Sequence, residues 1–175
     1  MQNKITRIRK ETMIEYFNSS NHLNWEVIND GVMGGISESK FEIKPDQTCV
    51  FSGMVSLKNN GGFASLRASL NGSVSGNFEK IVIRVKGDGK TYSFRIRTDE
   101  NFDGVAYTCS FSTKKDEWIE YEFSPDDFVP TFRGRTLSNV PPLSNLNISH
   151  VGFLISEKQS GNFELIIEWI KVILL

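Results

Sequence analysis

The chain has 175 residues, and a protein of this size buries about 70% of the surface that its unfolded form exposes, so it can fold on its own core. Its 20 basic and 21 acidic residues leave a net charge of -1, without the positive field that attracts nucleic acid. The longest apolar run is far shorter than the ~20 residues of a transmembrane helix. We expect one soluble domain over 1–175, with no nucleic-acid partner and no transmembrane segment.

The N-terminal segment does not resemble a targeting signal. It is basic, but Glu11 and Glu15 occupy the region where a secretion signal has its apolar stretch. A mitochondrial transit peptide is poor in acidic residues, so the same residues disfavour that assignment. We expect a cytoplasmic location, and we allow one short helix over residues 6–18.

From Phe41 onward, apolar residues repeat mostly at a period of two, which indicates strands with one buried face. Turn-forming Gly, Asn, Asp and Pro separate these runs at intervals of about ten residues. Such short, regularly spaced strands predict an all-β fold, an antiparallel β-sandwich. The predicted strands are 40–43, 49–57, 63–70, 79–86, 91–97, 105–111, 118–123, 150–155 and 163–172.

The stretch 124–147 contains four of the five prolines and little alternation. Proline cannot donate a hydrogen bond to a sheet ladder, and irregular segments normally run over the protein surface. We predict a long surface connection here.

A glycine-dense segment follows Trp25 and reads Asn29-Asp30-Gly31-Val32-Met33-Gly34-Gly35-Ile36-Ser37. Glycines can bring backbone N–H groups close to an anion, but the spacing matches neither a Walker A loop nor a dinucleotide-binding fingerprint. We favour a structural interpretation, in which Asp30 accepts hydrogen bonds from nearby amides and Met33 fills space in the core. Trp25 and Asp30 are kept as binding candidates.

Three arginines are predicted to line one outer surface of the sandwich. Side chains alternate along a strand, which places Arg67 on one strand face and Arg95 with Arg97 on one face of another strand. Arginine suits carboxylates, phosphates and aromatic rings, so this surface, with Tyr107 nearby, is a candidate site for an anionic or sugar-like ligand. The alternative is a solvated face of cross-strand ion pairs with Asp99, Glu79, Glu120 or Glu122.

The sequence offers no recognisable catalytic constellation. The two histidines, His22 and His150, lie in no known signature, and no nucleophile elbow is present. The acidic residues have no histidine spaced to complete a transition-metal site. We predict no enzymatic activity, no cofactor and no metal, and leave open a calcium site that uses Asp30 or Asp103.

Several motifs in order resemble one known family. They are Trp25 with residues 29–37, Phe51-Ser52-Gly53, Gly61-Gly62-Phe63-Ala64-Ser65-Leu66-Arg67, Phe128-Val129-Pro130-Thr131-Phe132-Arg133-Gly134-Arg135, and residues 151–159 with Trp169. Over about residues 20–172 this set resembles the complex I intermediate-associated protein 30 family.

The resemblance implies a galactose-binding-like jelly roll, related in shape to carbohydrate-binding modules. It also implies a non-enzymatic protein that acts through protein–protein contact, as respiratory complex I assembly factors do, with respiratory-complex subunits as partners. Trp25, Asp30, Arg67, Arg133 and Arg135 carry over as motif members without an assigned role. The alternative function is a carbohydrate- or small-molecule-binding module that uses the arginine-bearing face.

Overall fold

The computed structural model describes residues 9–18, 20–100 and 104–175. Within these ranges the backbone forms β-strands and short 3-10 turns, and no α-helix. The turns are Asp30–Met33, Lys58–Asn60, Pro125–Asp127 and Leu143–Asn145. The strands are β1 (Lys10–Glu15), β2 (Trp25–Asn29), β3 (Glu38–Ile43), β4 (Cys49–Val55), β5 (Ala64–Ser75), β6 (Phe78–Lys86), β7 (Thr91–Arg97), β8 (Ala106–Ser112), β9 (Trp118–Phe123), β10 (Val129–Phe132), β11 (Arg135–Thr136), β12 (Asn147–Ile155) and β13 (Gly161–Leu174).

Two antiparallel sheets form a sandwich. The six-stranded sheet has the order β3-β4-β13-β6-β9, and β1 joins it by pairing with the C-terminal half of β13. The seven-stranded sheet has the order β11-β10-β8-β7-β12-β5-β2. Because neighbours in both sheets are mostly distant in sequence, the order of strands cannot be read from turns alone.

All nine predicted strands are present, with ends that differ by a few residues. Asn71 and Gly72, turn-forming residues that follow the predicted strand 63–70, lie inside β5, which continues to Ser75. The predicted surface connection over 124–147 is partly wrong, because it contains β10 and β11, which extend the seven-stranded sheet at its edge. Pro130 lies in β10, next to the two-residue edge strand β11, and strands near a sheet edge tolerate proline, so proline content is a poor guide there.

The short helix allowed over residues 6–18 is wrong for the residues that the structure describes, and residues 6–8 lie outside them. Lys10–Glu15 is strand β1, and its side chains alternate between exposed and more buried positions. Pairing with the edge of β13 satisfies its backbone groups, which outweighs a weak local preference. Within the described ranges, no helix has the length and apolarity that crossing a membrane would require.

Aromatic side chains join the two sheets. Phe94 of β7 stacks on Phe123 of β9 at 6.1 Å between ring centroids, and it contacts Phe153 of β12 at 5.3 Å. Phe128, at the end of a 3-10 turn, meets Phe94 edge to face at 6.2 Å. Since these rings come from both layers, the cluster fixes the position of β7 and β12 and therefore of whatever their outer faces carry.

Replacing Phe94 by alanine should lower the free energy of unfolding by about 3–5 kcal/mol, because it removes a fully buried ring and leaves a cavity between the sheets. Urea denaturation measures this change. Phe132→Ala is the matched control, since Phe132 is partly exposed, and its effect should stay below about 1 kcal/mol. Equal losses in both variants would contradict the central role of Phe94.

Candidate functional site

The outer face of the seven-stranded sheet brings the predicted arginines together. Strand β12 lies between β5 and β7, and Gly152 is the register partner of Arg67 on one side and of Arg95 on the other. Two positions along β12, His150 is the partner of Arg97. These five residues line a shallow recess and are called the arginine face below. The prediction that three arginines share one outer surface is thus confirmed.

Gly152 is required at the centre of this face. A Cβ atom there would lie 2.6 Å from the carbonyl oxygen of Leu66 and 3.1 Å from Cβ of Arg67. Glycine therefore permits the close approach of β12 to β5. It also leaves the space between Arg67 and Arg95 without an intervening side chain.

Arg95 has the most unusual environment on the arginine face. Among the described residues, its buried Nε atom has no hydrogen-bond partner and its guanidinium makes no ion pair. Burial, with the positive charges of Arg97 and Arg67, lowers the pKa of Arg95 to about 10, so it remains protonated at neutral pH. A buried cation without a counter-charge opposes folding.

The other two arginines of the arginine face each have an interaction partner. Arg67 forms an ion pair with Glu26, although the 3.7 Å from its buried Nε to Glu26 Oε1 is too long for a hydrogen bond. Arg97 Nη1 donates to the carbonyl oxygen of Gly104 at 2.7 Å. Burial and the charges of Arg97 and Arg67 lower the pKa of His150 below its ordinary value of 6.5, despite a hydrogen bond to the Asp99 backbone. The imidazole is therefore uncharged at neutral pH.

The alternative interpretation, in which four named acids neutralise this face, is wrong for three of them. Those three belong to β6 and β9 of the other sheet and pair with cations at its outer surface. The pairs are Glu79 with Arg9 at 3.0 Å, Glu120 with Arg84 at 3.5 Å, and Glu122 with Lys80 at 2.6 Å.

Two predicted binding residues point into the core instead. Trp25 is 6% exposed and donates its indole N–H to Glu15 Oε2 at 2.9 Å. Tyr107 is 2% exposed, and its hydroxyl donates to the carbonyl oxygen of Pro141 at 2.6 Å. Tyr107 is the register partner of buried Ile96, so it lies on the opposite side of the sheet from Arg95. Neither aromatic side chain belongs to the arginine face.

Arg133 and Arg135 are exposed and lie apart from the other arginines. They flank the turn between β10 and β11 at the sheet edge, with β8 and β10 separating that edge strand from β7. The Arg133 guanidinium sits 5.2 Å from the centroid of the Phe132 ring. Their exposure makes them useful controls for the loss of a positive charge.

Asp30 organises the glycine-dense segment, as the structural interpretation predicted. Its buried carboxylate accepts hydrogen bonds from the Ser37 amide and hydroxyl and from the amides of Gly62 and Phe63. Burial alone would raise the pKa of Asp30, but these hydrogen bonds hold it below 3.8. A Cβ at Gly35 would lie 2.4 Å from Asp30 Oδ1, which explains the glycine beside it.

The same segment differs from expectation at Met33. That side chain is 64% exposed and does not fill the core, and its neighbour Val32 is 75% exposed. The calcium site left open at Asp30 is not supported, because amide and hydroxyl donors occupy its carboxylate. Asp103, the other calcium candidate, lies outside the described residues.

A serine and a histidine do meet at the edge of the arginine face. Ser149 Oγ lies 2.8 Å from His150 Nδ1, but it also lies 2.7 Å from the carbonyl oxygen of Asp99 and 3.1 Å from that of Arg97. Its proton is therefore directed to the backbone, which does not suit an activated nucleophile. Within the described ranges, no three His, Cys, Asp or Glu side chains group as metal ligands.

Comparison with known proteins identifies the family of this chain. The sequence profile of complex I intermediate-associated protein 30 matches residues 14–167. The chain belongs to the complex I intermediate-associated protein 30 family. The resemblance drawn from the ordered motifs is therefore confirmed.

Two relatives in this family carry the same name. A mouse protein, "Complex I intermediate-associated protein 30, mitochondrial", is 26% identical over 85% of this chain and 51% of its own length. A probable counterpart in Caenorhabditis briggsae is 26% identical over 93% of this chain and 54% of its own. The chain thus spans about half the length of these relatives. Both are mitochondrial by name, which contradicts the cytoplasmic location that we expected from N-terminal composition alone.

Solved structures establish the fold. A family 11 carbohydrate-binding module from Clostridium thermocellum, in complex with a β-1,3-1,4-mixed-linked tetrasaccharide, has a TM-score of 0.69 and 20% identity, over 93% of this chain and 95% of that chain. This confirms the predicted galactose-binding-like jelly-roll sandwich. At this identity the likeness concerns the fold alone.

Sequence reasoning missed two members of the arginine face, His150 and Gly152. Alternation along the predicted strand 150–155 would have placed both residues on one face. The pairing of β12 between β5 and β7 was the missing information, because it joins segments that are far apart in the chain.

Asp30→Asn should lower the free energy of unfolding by about 1–3 kcal/mol at pH 7. The side-chain NH2 group of asparagine would face backbone N–H groups that donate to the carboxylate in the unmodified protein. The folded pKa of Asp30 lies below 3.8, so the stability from its charge is present above that pH and is lost as pH falls through the folded value. Urea denaturation should show a smaller difference in the free energy of unfolding between the unmodified chain and Asp30→Asn at pH 3 than at pH 7. Exposed Asp126→Asn should change little at either pH.

Arg95→Met should raise the free energy of unfolding by about 1–2 kcal/mol, because it removes a buried cation that pairs with no described residue and retains a long side chain. Denaturation in urea at pH 7 tests this. Arg135→Met removes the same charge from an exposed position and should change stability by less than about 0.5 kcal/mol. A destabilised Arg95→Met protein would show that the guanidinium has a structural role.

Proposed function

We propose that this chain is a non-enzymatic binding protein that contacts a protein partner during assembly of respiratory complex I, as the names of its mitochondrial relatives suggest. The arginine face is the contact surface. The observation that supports it most is Arg95, a buried cation at an outer surface that has no counter-charge among the residues that the structure describes. A partner that supplied an acceptor there would convert an unfavourable group into a binding contact.

The size of the recess favours a protein partner over a sugar. Its volume is about 20 Å³, which accommodates one water-sized group, whereas small-molecule sites usually span about 300–1,000 Å³. Around it, the neighbouring strands present small hydroxyl side chains at Ser93, Ser110, Thr108 and Thr131. A broad polar surface with one charged depression suits a macromolecular interface.

The tryptophans of the other sheet do not offer an open stacking platform for a sugar ring. Arg84 and Lys86 lie 5.3 and 5.2 Å from the centroid of the Trp118 ring. Lys171 lies 4.5 Å from the centroid of Trp169. The protein's own cations thus lie over these rings. This disfavours the carbohydrate-binding alternative, which the fold shared with carbohydrate-binding modules suggests.

Deletion of the gene from its native cell, with rescue by a tagged chain, tests this function. We expect less assembled complex I on native gels after deletion, recovery on rescue, and co-migration of the tagged chain with incomplete complex I. Normal assembly without the chain would contradict the proposal. Retention of the purified chain in a mixed-linkage glucan gel, with no complex I phenotype, would favour the carbohydrate-binding alternative.

A further inference from the structure

We propose that the recess beside Arg95 receives the carboxylate of an aspartate or glutamate from an acidic segment of the partner protein. This inference rests on the proposed function and specifies the chemistry of the partner at the arginine face. The carboxylate would lie above Gly152, between Arg67 and Arg95.

The register explains why an anion fits at this point. Gly152 stands directly between the two arginines and contributes no side chain, so both guanidiniums border the same gap. Arg97 lies two positions further along β7 and adds to the positive potential, while His150 is uncharged at neutral pH. Within the described part of the chain, the buried Nε–H of Arg95 is a donor without an acceptor. A carboxylate is planar and accepts the parallel N–H groups of a guanidinium.

The shallowness of the recess explains why this carboxylate should belong to a protein. A free small anion would need to be enclosed on most sides for tight binding, and a recess of about 20 Å³ does not achieve this. A carboxylate attached to a partner gains the remaining affinity from the surrounding surface. The chain's net charge is only -1, so the attraction comes from this local cluster and not from an overall field.

A substitution at Thr108 can place a side chain of the protein itself in the recess. It is the register partner of Arg95 on β8, so its side chain points to the same outer face. Thr108→Glu would place a carboxylate of the chain itself beside Arg95. Thr108→Gln has the same size without the charge and serves as its matched control.

The test uses incomplete complex I isolated from the deletion cells and the purified full chain with its variants. Arg95→Gln should weaken binding at least tenfold, whereas Arg135→Gln, which removes an exposed charge, should change it less than twofold. Thr108→Glu should also weaken binding at least tenfold and raise the melting temperature. Thr108→Gln should bind within about threefold of the unmodified chain.

Carbodiimide cross-linking identifies the chemical group directly, because it joins an amine to a neighbouring carboxylate. The Arg95→Lys variant should cross-link to an aspartate or glutamate of the partner, as located by mass spectrometry, while Arg135→Lys should not. If the unmodified chain binds but Arg95→Gln binds equally well, the inference fails, and so does the arginine face as the contact surface, while the role in complex I assembly stands. Equal effects of Thr108→Glu and Thr108→Gln would also overturn it. If the unmodified chain binds no complex I intermediate, both fail together.

Discussion

The close approach of β12 to β5 at Gly152 sets the arrangement of the outer surface of the seven-stranded sheet. Only a residue without Cβ fits against the Leu66 carbonyl, and the same absence leaves a gap between Arg67 and Arg95. On the inner side of these strands, Phe94 and Phe153 pack together between the sheets. The apolar core thus holds the outer arginines at fixed spacing, and its stability offsets the unfavourable burial of the Arg95 charge.

Two buried carboxylates, those of Glu15 and Asp30, each stabilise an irregular segment of the chain. Glu15 accepts the amides of Tyr16, Phe17 and Leu23 together with the Trp25 indole, which ties the end of β1 to the start of β2. Asp30 performs the same task for the glycine-dense segment. In both cases one side chain satisfies several backbone donors that have no ladder partner. The motif residues Trp25 and Asp30 are therefore explained by folding, and the arginine face by the surface that this folding leaves exposed.

The fold that this chain shares with carbohydrate-binding modules does not fix its chemistry. A jelly roll presents a broad outer sheet surface, and the side chains placed there decide what it recognises. Here that surface carries guanidinium groups and hydroxyls around a small recess, while Tyr107 points inward to Pro141. An electrostatic contact with a protein partner is consistent with this chemistry, and with a family named for its association with complex I intermediates.

The sequence by itself determined the fold class, the family and the strand faces, because alternation and turn chemistry are local properties of the chain. It placed Arg67, Arg95 and Arg97 on outer faces and predicted the role of Asp30. Tertiary structure alone decided that β12 separates β5 from β7, that Tyr107 faces the core, and that residues 10–15 form a strand. These outcomes depend on pairing between segments distant in sequence, whose energies are set by packing rather than by the local pattern.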